Sequence, residues 1–375
     1  MKKIIFRKLA QDCTKFFLLI LFTISIIIWV LQAVNYLDFV TEDGHGFLVY
    51  FNYTLLSFPK IFSKIFPFAV FLAFTYIILK YENKNELVIF WNFGVKKIHF
   101  INFFIKLSFV FIIISILLNS LIAPYTQDKA RSFIRSSHLD FFESILKPKK
   151  FIDIIENLTI YFNEVNEEGE FKNIFLNDKS GQSSQITFAK TGKIEIRGIR
   201  KVLVLEEGRT INEINGKISE FKFSKTDFNI SKFSTKTTVT KKIQETSTRD
   251  LIKCLLIFHK STEKIEFSKI TLDRNCGLNN LKNIHQELYS RLIKPLYITF
   301  LITVSLLLIL KSKDSHSFNI NKIKIYFLGF ISIIFLELSS KFINTNLIQN
   351  LILIILPILL VLIIYIYFLK FLRTN

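Results

Sequence analysis

Residues 103–122, FFIKLSFVFIIISILLNSLI, and residues 292–310, LIKPLYITFLITVSLLLIL, are each long enough to cross a bilayer as a helix, and a long polar interval separates them. A spanning helix needs roughly 20 apolar residues, because no water in the hydrocarbon satisfies a free backbone N–H or C=O. Working outward, residues 16–34 and 55–79 qualify before this pair, and residues 325–342 and 347–371 qualify after its first residue of interest, on the C-terminal side. The chain therefore reads as an α-helical polytopic membrane protein of six spans, split three and three. Residues 1–123 hold the first three spans, 124–290 an inserted domain, and 291–375 the last three.

Half of the 375 residues are hydrophobic, and they stand in blocks rather than spread as in a soluble core. The 42 Phe residues, with heavy use of Ile, Lys and Asn, fit an AT-rich coding composition and carry no weight here. A net charge of +19 could point to nucleic acid, but many cations flank apolar spans and no nucleic-acid motif accompanies them. The basic, then apolar, N-terminus lacks a small-residue cleavage site after Val30, so a retained first span is expected.

Cations are retained on the cytoplasmic side during insertion. One side collects Lys2, Lys3, Arg7, Lys8 and Lys15, then Lys80, Lys84, Lys96 and Lys97, then Lys311, Lys313, Lys322 and Lys324, then Lys370 and Arg373. The opposite first loop, 35–54, has Asp38, Glu42 and Asp43 and no Lys or Arg. Both termini are expected in the cytoplasm, and the 124–290 interval outside, in a periplasm where there are two membranes.

That interval alternates apolar and polar residues in short runs: 159–162, 171–176, 185–190, 193–197, 202–205, 217–223 and 228–230. Gly192, Gly198, Gly208 and Gly216 punctuate them, and Asn166 to Gly169 suits a hairpin loop. A sandwich, a jelly roll or a partly open barrel is expected. From Thr248 to Tyr289 the pattern turns helical. Cys254 and Cys276 are candidates for a disulfide if exported, and no Cys/His spacing suits a metal.

The chain has no Walker A loop, HExxH, GxSxG or GxGxxG motif, so a conduit or scaffold is expected rather than a catalyst. His45, His99, His138, His259, His285 and His316 are scattered. Ionisable residues inside spans are the site candidates, since lipid exposure costs at least about 2 to 3 kcal/mol each. Lys60 and Lys64 share one face of the second span near its outer end, beside Pro59 and Pro67. They suit the phosphates of an amphiphile, or snorkelling to outer headgroups. Arg291 and Lys294 open the fourth span, where interface anchoring competes with substrate contact. Glu337 and Lys341 share a face of the fifth and are expected to neutralise each other. Between the second and third spans, 80–97 reads as a short amphipathic helix with Leu87, Phe90, Trp91 and Phe93 and a stop at Gly94. It is expected to dock a soluble motor or to lie on the membrane surface.

These features in this order resemble the lipopolysaccharide export permeases of the LptF/LptG type over nearly the whole chain. Pro59 and Pro67 resemble that family's entry to its second helix, and Asn85-Glu86-Leu87 with Phe93-Gly94 its coupling segment. Leu146-Lys147-Pro148 with Phe151, and Val204-Leu205-Glu206-Glu207-Gly208, are similar to patterns of its periplasmic domain. His285, Glu287, Arg291, Pro295 and Leu296 fall near its signature opening the fourth helix. Two departures stand out: Lys149 replaces a glycine, and the first span has only Gln32 and Asn35, not a cation, near its outer end.

The resemblance implies a periplasmic β-jellyroll-like domain and an inner-membrane location. It implies a second homologous permease subunit, a lateral cavity between first and fifth helices, and a cytoplasmic ATPase dimer carrying ATP and Mg. The ATPase would grip Glu86, Leu87, Phe90, Trp91 and Gly94, Glu86 matching the coupling glutamate. Lys60 and Lys64, with Arg291 and Lys294, would line the path of lipopolysaccharide toward periplasmic jellyroll bridge proteins. The form of the exported domain is closer to the LptF-like half. The competing reading from another class is a membrane scaffold or signal transmitter with a periplasmic sensor domain.

Overall fold

The computed structural model describes residues 2–374 apart from 38–39, 41–45, 146–147, 156–157, 167–168, 180–182, 198–199, 215–216, 230–240, 261–275 and 346. It divides into two compact units, one of Met1–Ala33, Thr54–Ala130 and Lys241–Asn375, the other of Val34–Tyr53 and Arg131–Thr240.

The helical elements are α1 (Lys2–Asn35), α2 (Phe47–Asn83), α3 (Glu86–Asn92) and α4 (Lys97–Leu117). A π-helical turn, Leu118–Ile122, carries α4 on into α5 (Ala123–Ile145). After the strands come α6 (Thr248–Lys260) and α7 (Leu281–Leu288), which continues through a π turn and a 3-10 turn into α8 (Tyr297–Leu306). The last two are α9 (Phe318–Ser339) and α10 (Leu347–Thr374). Six of these segments are long and apolar enough to cross a membrane: Lys3–Asn35, Phe47–Asn83, Lys97–Ile134, Leu281–Leu310, Phe318–Phe342 and Asn350–Arg373.

The helices outrun their apolar windows because the buried stripe does. On α1, Leu9, Cys13, Phe17 and Leu21 recur every fourth residue and are all buried, so the helix begins well before residue 16. The third span likewise continues past the proline at its C-terminal end. Pro124 has no N–H to give the Ser120 carbonyl four residues earlier, and the Thr248 hydroxyl donates to that oxygen instead at 2.6 Å.

Every residue of α8 is buried, which makes it the centre of the helical unit. Small hydroxyls pair across its contacts, Thr75 with Ser305 and Ser108 with Thr299, each at 2.8 Å; such pairs satisfy polar groups between spans. The Tyr365 hydroxyl donates to Asn102 Oδ1 at 3.1 Å, tying α10 to α4. Gly329 of α9 lies directly against the Phe71 ring of α2, leaving no room for a Cβ. By contrast, Leu19 and Leu31 of α1, Phe327 and Ile334 of α9, and Ile352 and Ile363 of α10 are exposed.

The second unit holds one antiparallel sheet: β1 (Ile152–Ile155), β2 (Leu158–Tyr161), β3 (Glu164–Val165), β4 (Glu170–Asp178), β5 (Ser183–Arg197), β6 (Arg200–Ile214) and β7 (Lys217–Asn229). Its order is β1-β2-β4-β5-β6-β7, with β3 on β4, so the described strands of the inserted domain form one antiparallel up-and-down meander, where a sandwich, jelly roll or partly open barrel was expected. Ile160, Phe162, Phe171, Ile174, Leu176, Leu203 and Leu205 form its core. The expected hairpin loop follows β3, with Gly169 at φ +75° and its N–H on the Asn166 carbonyl.

Several expected strands prove to be halves of longer ones. Runs 185–190 and 193–197 are one strand, β5, and 217–223 continues through Phe228 in β7. The ladder steps over a row formed by Asn173, Lys190, Glu207 and Ser224. Asn173 and Glu207 there adopt left-handed φ of 53° and 48°. Across the row the buried positions slip phase, from Phe171 to Ile174 on β4 and from Leu205 to Thr210 on β6. A left-handed residue inside a strand kinks it and re-aims the side chains, which a strict period of two reads as a strand end. Gly192 and Gly208 are likewise interior: a Cβ on Gly192 would lie 2.6 Å from Ile174, and one on Gly208 would meet the Phe188 carbonyl and the Phe223 ring. Gly198, Gly216, Ile230, Leu146 and Lys147 lie outside the described residues.

Lys149 has φ 63°, the left-handed region in which a glycine is unstrained, and its N–H still bonds the Phe162 carbonyl at 2.9 Å. Cys254 and Cys276 form a disulfide, with Cα atoms 5.9 Å apart, joined to a small core of Leu251, Ile284 and Leu288.

The contact of Gly329 with Phe71 is testable. Gly329→Val should destabilise the chain by about 1 to 3 kcal/mol through overpacking, read as a lower melting temperature in detergent. Combined with Phe71→Ala, the loss should be smaller than the sum of the two single losses.

Candidate functional site

A polar cavity of about 420 Å³ lies within the helical unit, lined by Lys60 and Lys64 of α2, Asn119 and Gln127 beyond α4, Gln244, the α7–α8 junction, and Glu337 and Lys341 at the end of α9. Helical spacing puts Lys60 and Lys64 on one face. Both line the cavity, as do Arg291 and Lys294. Five cations therefore meet two carboxylates, Glu287 and Glu337. Arg291 pairs with Glu287 at 2.9 Å and Lys294 with Glu337 at 3.0 Å. Lys60 Nζ donates to the neutral Gln244 Oε1 at 3.1 Å. Among the described residues no carboxylate forms an ion pair with Lys60, Lys64 or Lys341. The walls thus carry excess positive charge suited to an anion. The expected pairing of Glu337 with Lys341 does not occur, because Glu337 reaches across to the α7–α8 junction instead. A second polar cavity of about 520 Å³ shares Gln244, Glu287, Ser290 and Ser340 with the first.

Arg291 plays a different part from its neighbours. Its side chain is 2% exposed and every nitrogen is engaged: Nε with Glu287 Oε1 at 2.9 Å, Nη1 with the Thr246 carbonyl and Thr248 Oγ1 at 2.9 Å each, and Nη2 with the Gln244 carbonyl at 3.1 Å. Arg291 is therefore a clamp on residues 244–248, with four of its five N–H donors engaged there and on Glu287. The Glu287/Arg291 spacing was visible in the sequence. The backbone carbonyls of Gln244 and Thr246 were not, since they belong to a segment more than 40 residues away with no motif of its own.

The segment 80–97 contains α3, entered through Asn85 at φ 60° and ended by Gly94 at φ +69°. Gly94 N–H bonds the Trp91 carbonyl at 2.9 Å and Val95 N–H the Phe90 carbonyl at 3.0 Å. This is the paired closure that only a left-handed residue permits without strain. Leu87 and Phe90 are buried, Phe90 among Phe6, Tyr81 and Phe100. Lys97 Nζ lies 5.9 Å over the Trp91 ring. The outward apolar face consists of Val88, Ile89 and Phe93, each nearly half exposed, with Glu86 half-buried at the start of the helix. Val88 and Ile89 were not singled out by pattern, because a seven-residue helix is too short to display a period. Tyr81 donates to Asp12 Oδ2 at 2.6 Å, and Glu82 Oε1 accepts from the Lys313 N–H at 2.9 Å, so the end of α2 is tied to both α1 and the α8–α9 loop.

In the β unit, Tyr161, Phe175, Phe188, Arg209 and Lys222 stand opposite one another on five adjacent strands. With Phe151 they line an open, mainly apolar groove of about 950 Å³. Arg209 lies 5.3 Å over the Phe188 ring, and Phe175 is 5.3 Å from Phe188. Beside them Lys190 bonds Glu207 at 2.6 Å. That contact holds the lysine pKa above, and the glutamate pKa below, their ordinary values, so both stay charged at neutral pH.

The family described as "Lipopolysaccharide export system permease LptF/LptG" matches residues 7–370, all six spans and the sheet between them. The chain belongs to this family. It is accordingly a multi-pass membrane protein, and the LptF/LptG permeases function in lipopolysaccharide export. No curated protein matches the chain closely enough to count as a relative. The family match covers the cavity, α3 and the aromatic face of the sheet alike.

Removing one partner of a buried ion pair typically costs about 3 to 5 kcal/mol. Arg291→Ala should therefore lower the melting temperature and open residues 241–248 to limited proteolysis, whereas Lys64→Ala should do neither.

Proposed function

We propose that this chain is the LptF-like permease half of an ATP-driven lipopolysaccharide exporter of the inner membrane, acting with a second homologous permease. The observation that carries this reading is the cavity where, among the described residues, no carboxylate forms an ion pair with Lys60, Lys64 or Lys341, beside helices whose outer faces are apolar. Such a site suits an amphiphile with several phosphates and several acyl chains. The lysines hold the headgroup, while the exposed faces of α1 and α9 meet lipid or the partner permease.

The cytoplasmic ends assigned from the Lys/Arg distribution place α3 on the side of a soluble ATPase dimer, which supplies ATP and Mg. Val88, Ile89 and Phe93 form its docking face, Glu86 the polar contact at its edge, and the buried Leu87 and Phe90 root the helix among the spans. Trp91 and Gly94 fix its shape. The Cys254–Cys276 disulfide supports placing 124–290 in an oxidising compartment, since such bonds persist in the periplasm and not in the cytosol. The aromatic groove of the sheet then faces the periplasmic jellyroll bridge proteins and receives acyl chains leaving the membrane. Extraction exposes each CH₂ at about 0.8 kcal/mol, so a lipid with several chains requires the partner's ATP hydrolysis.

Two experiments test this. Lys60→Glu with Lys64→Glu should cut photocrosslinking of lipopolysaccharide to α2 at least about ten-fold, equivalent to about 1.4 kcal/mol, and wild-type crosslinking would remove both lysines from the path. Glu86→Ala should reduce copurification of the ATPase and stop lipid release while the protein remains inserted; unchanged copurification and release would dismiss the coupling role.

A further inference from the structure

Glu337 is an oddly placed carboxylate. It lines a cavity otherwise rich in cations, its side chain is 58% exposed, and it spends its charge on Lys294, which is 14% exposed and faces inward. Lys341, one turn further along the same helix, is the partner that local spacing would supply, yet it stays outside the pair. A pair whose carboxylate is open to solvent is held weakly. It is therefore easily exchanged for another anion.

We propose that Glu337 is a specificity-determining residue, an internal carboxylate that occupies Lys294 until a phosphate group of the substrate headgroup displaces it. This rests on the reading of the cavity as a headgroup site. With Glu337 in place the cavity offers Lys60, Lys64 and Lys341 without displacing a carboxylate but Lys294 only by exchange. A headgroup with one negative charge is satisfied by those three lysines, has nothing left with which to compete for Lys294, and is repelled by the Glu337 carboxylate. A headgroup with two phosphates binds the three lysines through one and exchanges with Glu337 through the other. Glu337 thus selects multiply phosphorylated amphiphiles over the singly charged phospholipids that surround the protein in far greater amount. Because Glu337 is on α9 and Lys294 on the α7–α8 junction, the exchange also unties these two segments.

The test uses the full chain with its partner permease in nanodiscs, and two probes: purified lipopolysaccharide and phosphatidylglycerol. The wild type should bind lipopolysaccharide more tightly, and removal of its phosphates should abolish that preference. Glu337→Gln should tighten phosphatidylglycerol binding by about two- to five-fold, the scale of one exposed ion pair, and narrow the preference accordingly. In a Lys294→Gln background the same change should have a clearly smaller effect, because only the repulsion by the carboxylate is then removed and the exchangeable cation is gone. Unchanged affinities in Glu337→Gln, or an equal gain with and without Lys294, would overturn the exchange while leaving the headgroup site intact. A wild type with no phosphate-dependent binding overturns both.

Discussion

A guanidinium cannot shed its proton inside a protein, so an arginine buried to 2% exposure obliges its surroundings to supply acceptors for every N–H. Arg291 draws four from Glu287 one turn away and from three groups of the 244–248 segment. The chain that returns from the sheet is thereby pinned at the start of the fourth span. Thr248 then passes the constraint on, accepting from Arg291 and donating to the Ser120 carbonyl that Pro124 leaves unpaired. One buried charge thus links the third and fourth spans through a proline-induced vacancy. Gln244, held in that segment, becomes the wall that meets Lys60.

The same economy governs the rest of the helical unit. Polar groups between spans are small and mutually paired, as in Thr75 with Ser305 and Ser108 with Thr299, so they join helices without carrying charge into the hydrocarbon. In one cavity Lys60, Lys64 and Lys341 gather from α2 and the end of α9, and among the described residues no carboxylate forms an ion pair with them.

The six spans were legible because hydropathy is a local property of about 20 residues. Their ends were less so. The helix of the first span starts at Lys2 because Leu9 and Cys13 continue a buried stripe through polar sequence. The strands were legible as alternation, but left-handed Asn173 and Glu207 shift the phase, and a strand that changes face in mid-course looks like two. At the site, the lysines of α2 and the Glu287/Arg291 spacing could be read from the helix period. The pairing of Lys294 with Glu337, rather than Glu337 with Lys341, could not, since it depends on how two distant helices approach. Leu87 and Phe90 were expected at the motor-facing surface, and they instead anchor α3 inward, leaving Val88, Ile89 and Phe93 outside.

These placements bear on how force would travel. From Lys60 to Asn83 the second span is one unbroken helix despite Pro59 and Pro67, which at 1.5 Å per residue is about 35 Å long. Its far end is held by Asp12 and by the Lys313 N–H, and α3 is rooted beside it through Phe90 against Tyr81. A load applied to α3 therefore acts on α2 as a lever rather than on a loop. The other end of that lever carries Lys60, whose hydrogen bond to Gln244 connects it to the Arg291-clamped segment. Rocking α2 would move Lys60 and Lys64 relative to a wall that Arg291 keeps still, at the expense of the Lys60–Gln244 bond. That relative motion is what a site must provide if it is to grip a headgroup in one state and release it in the next.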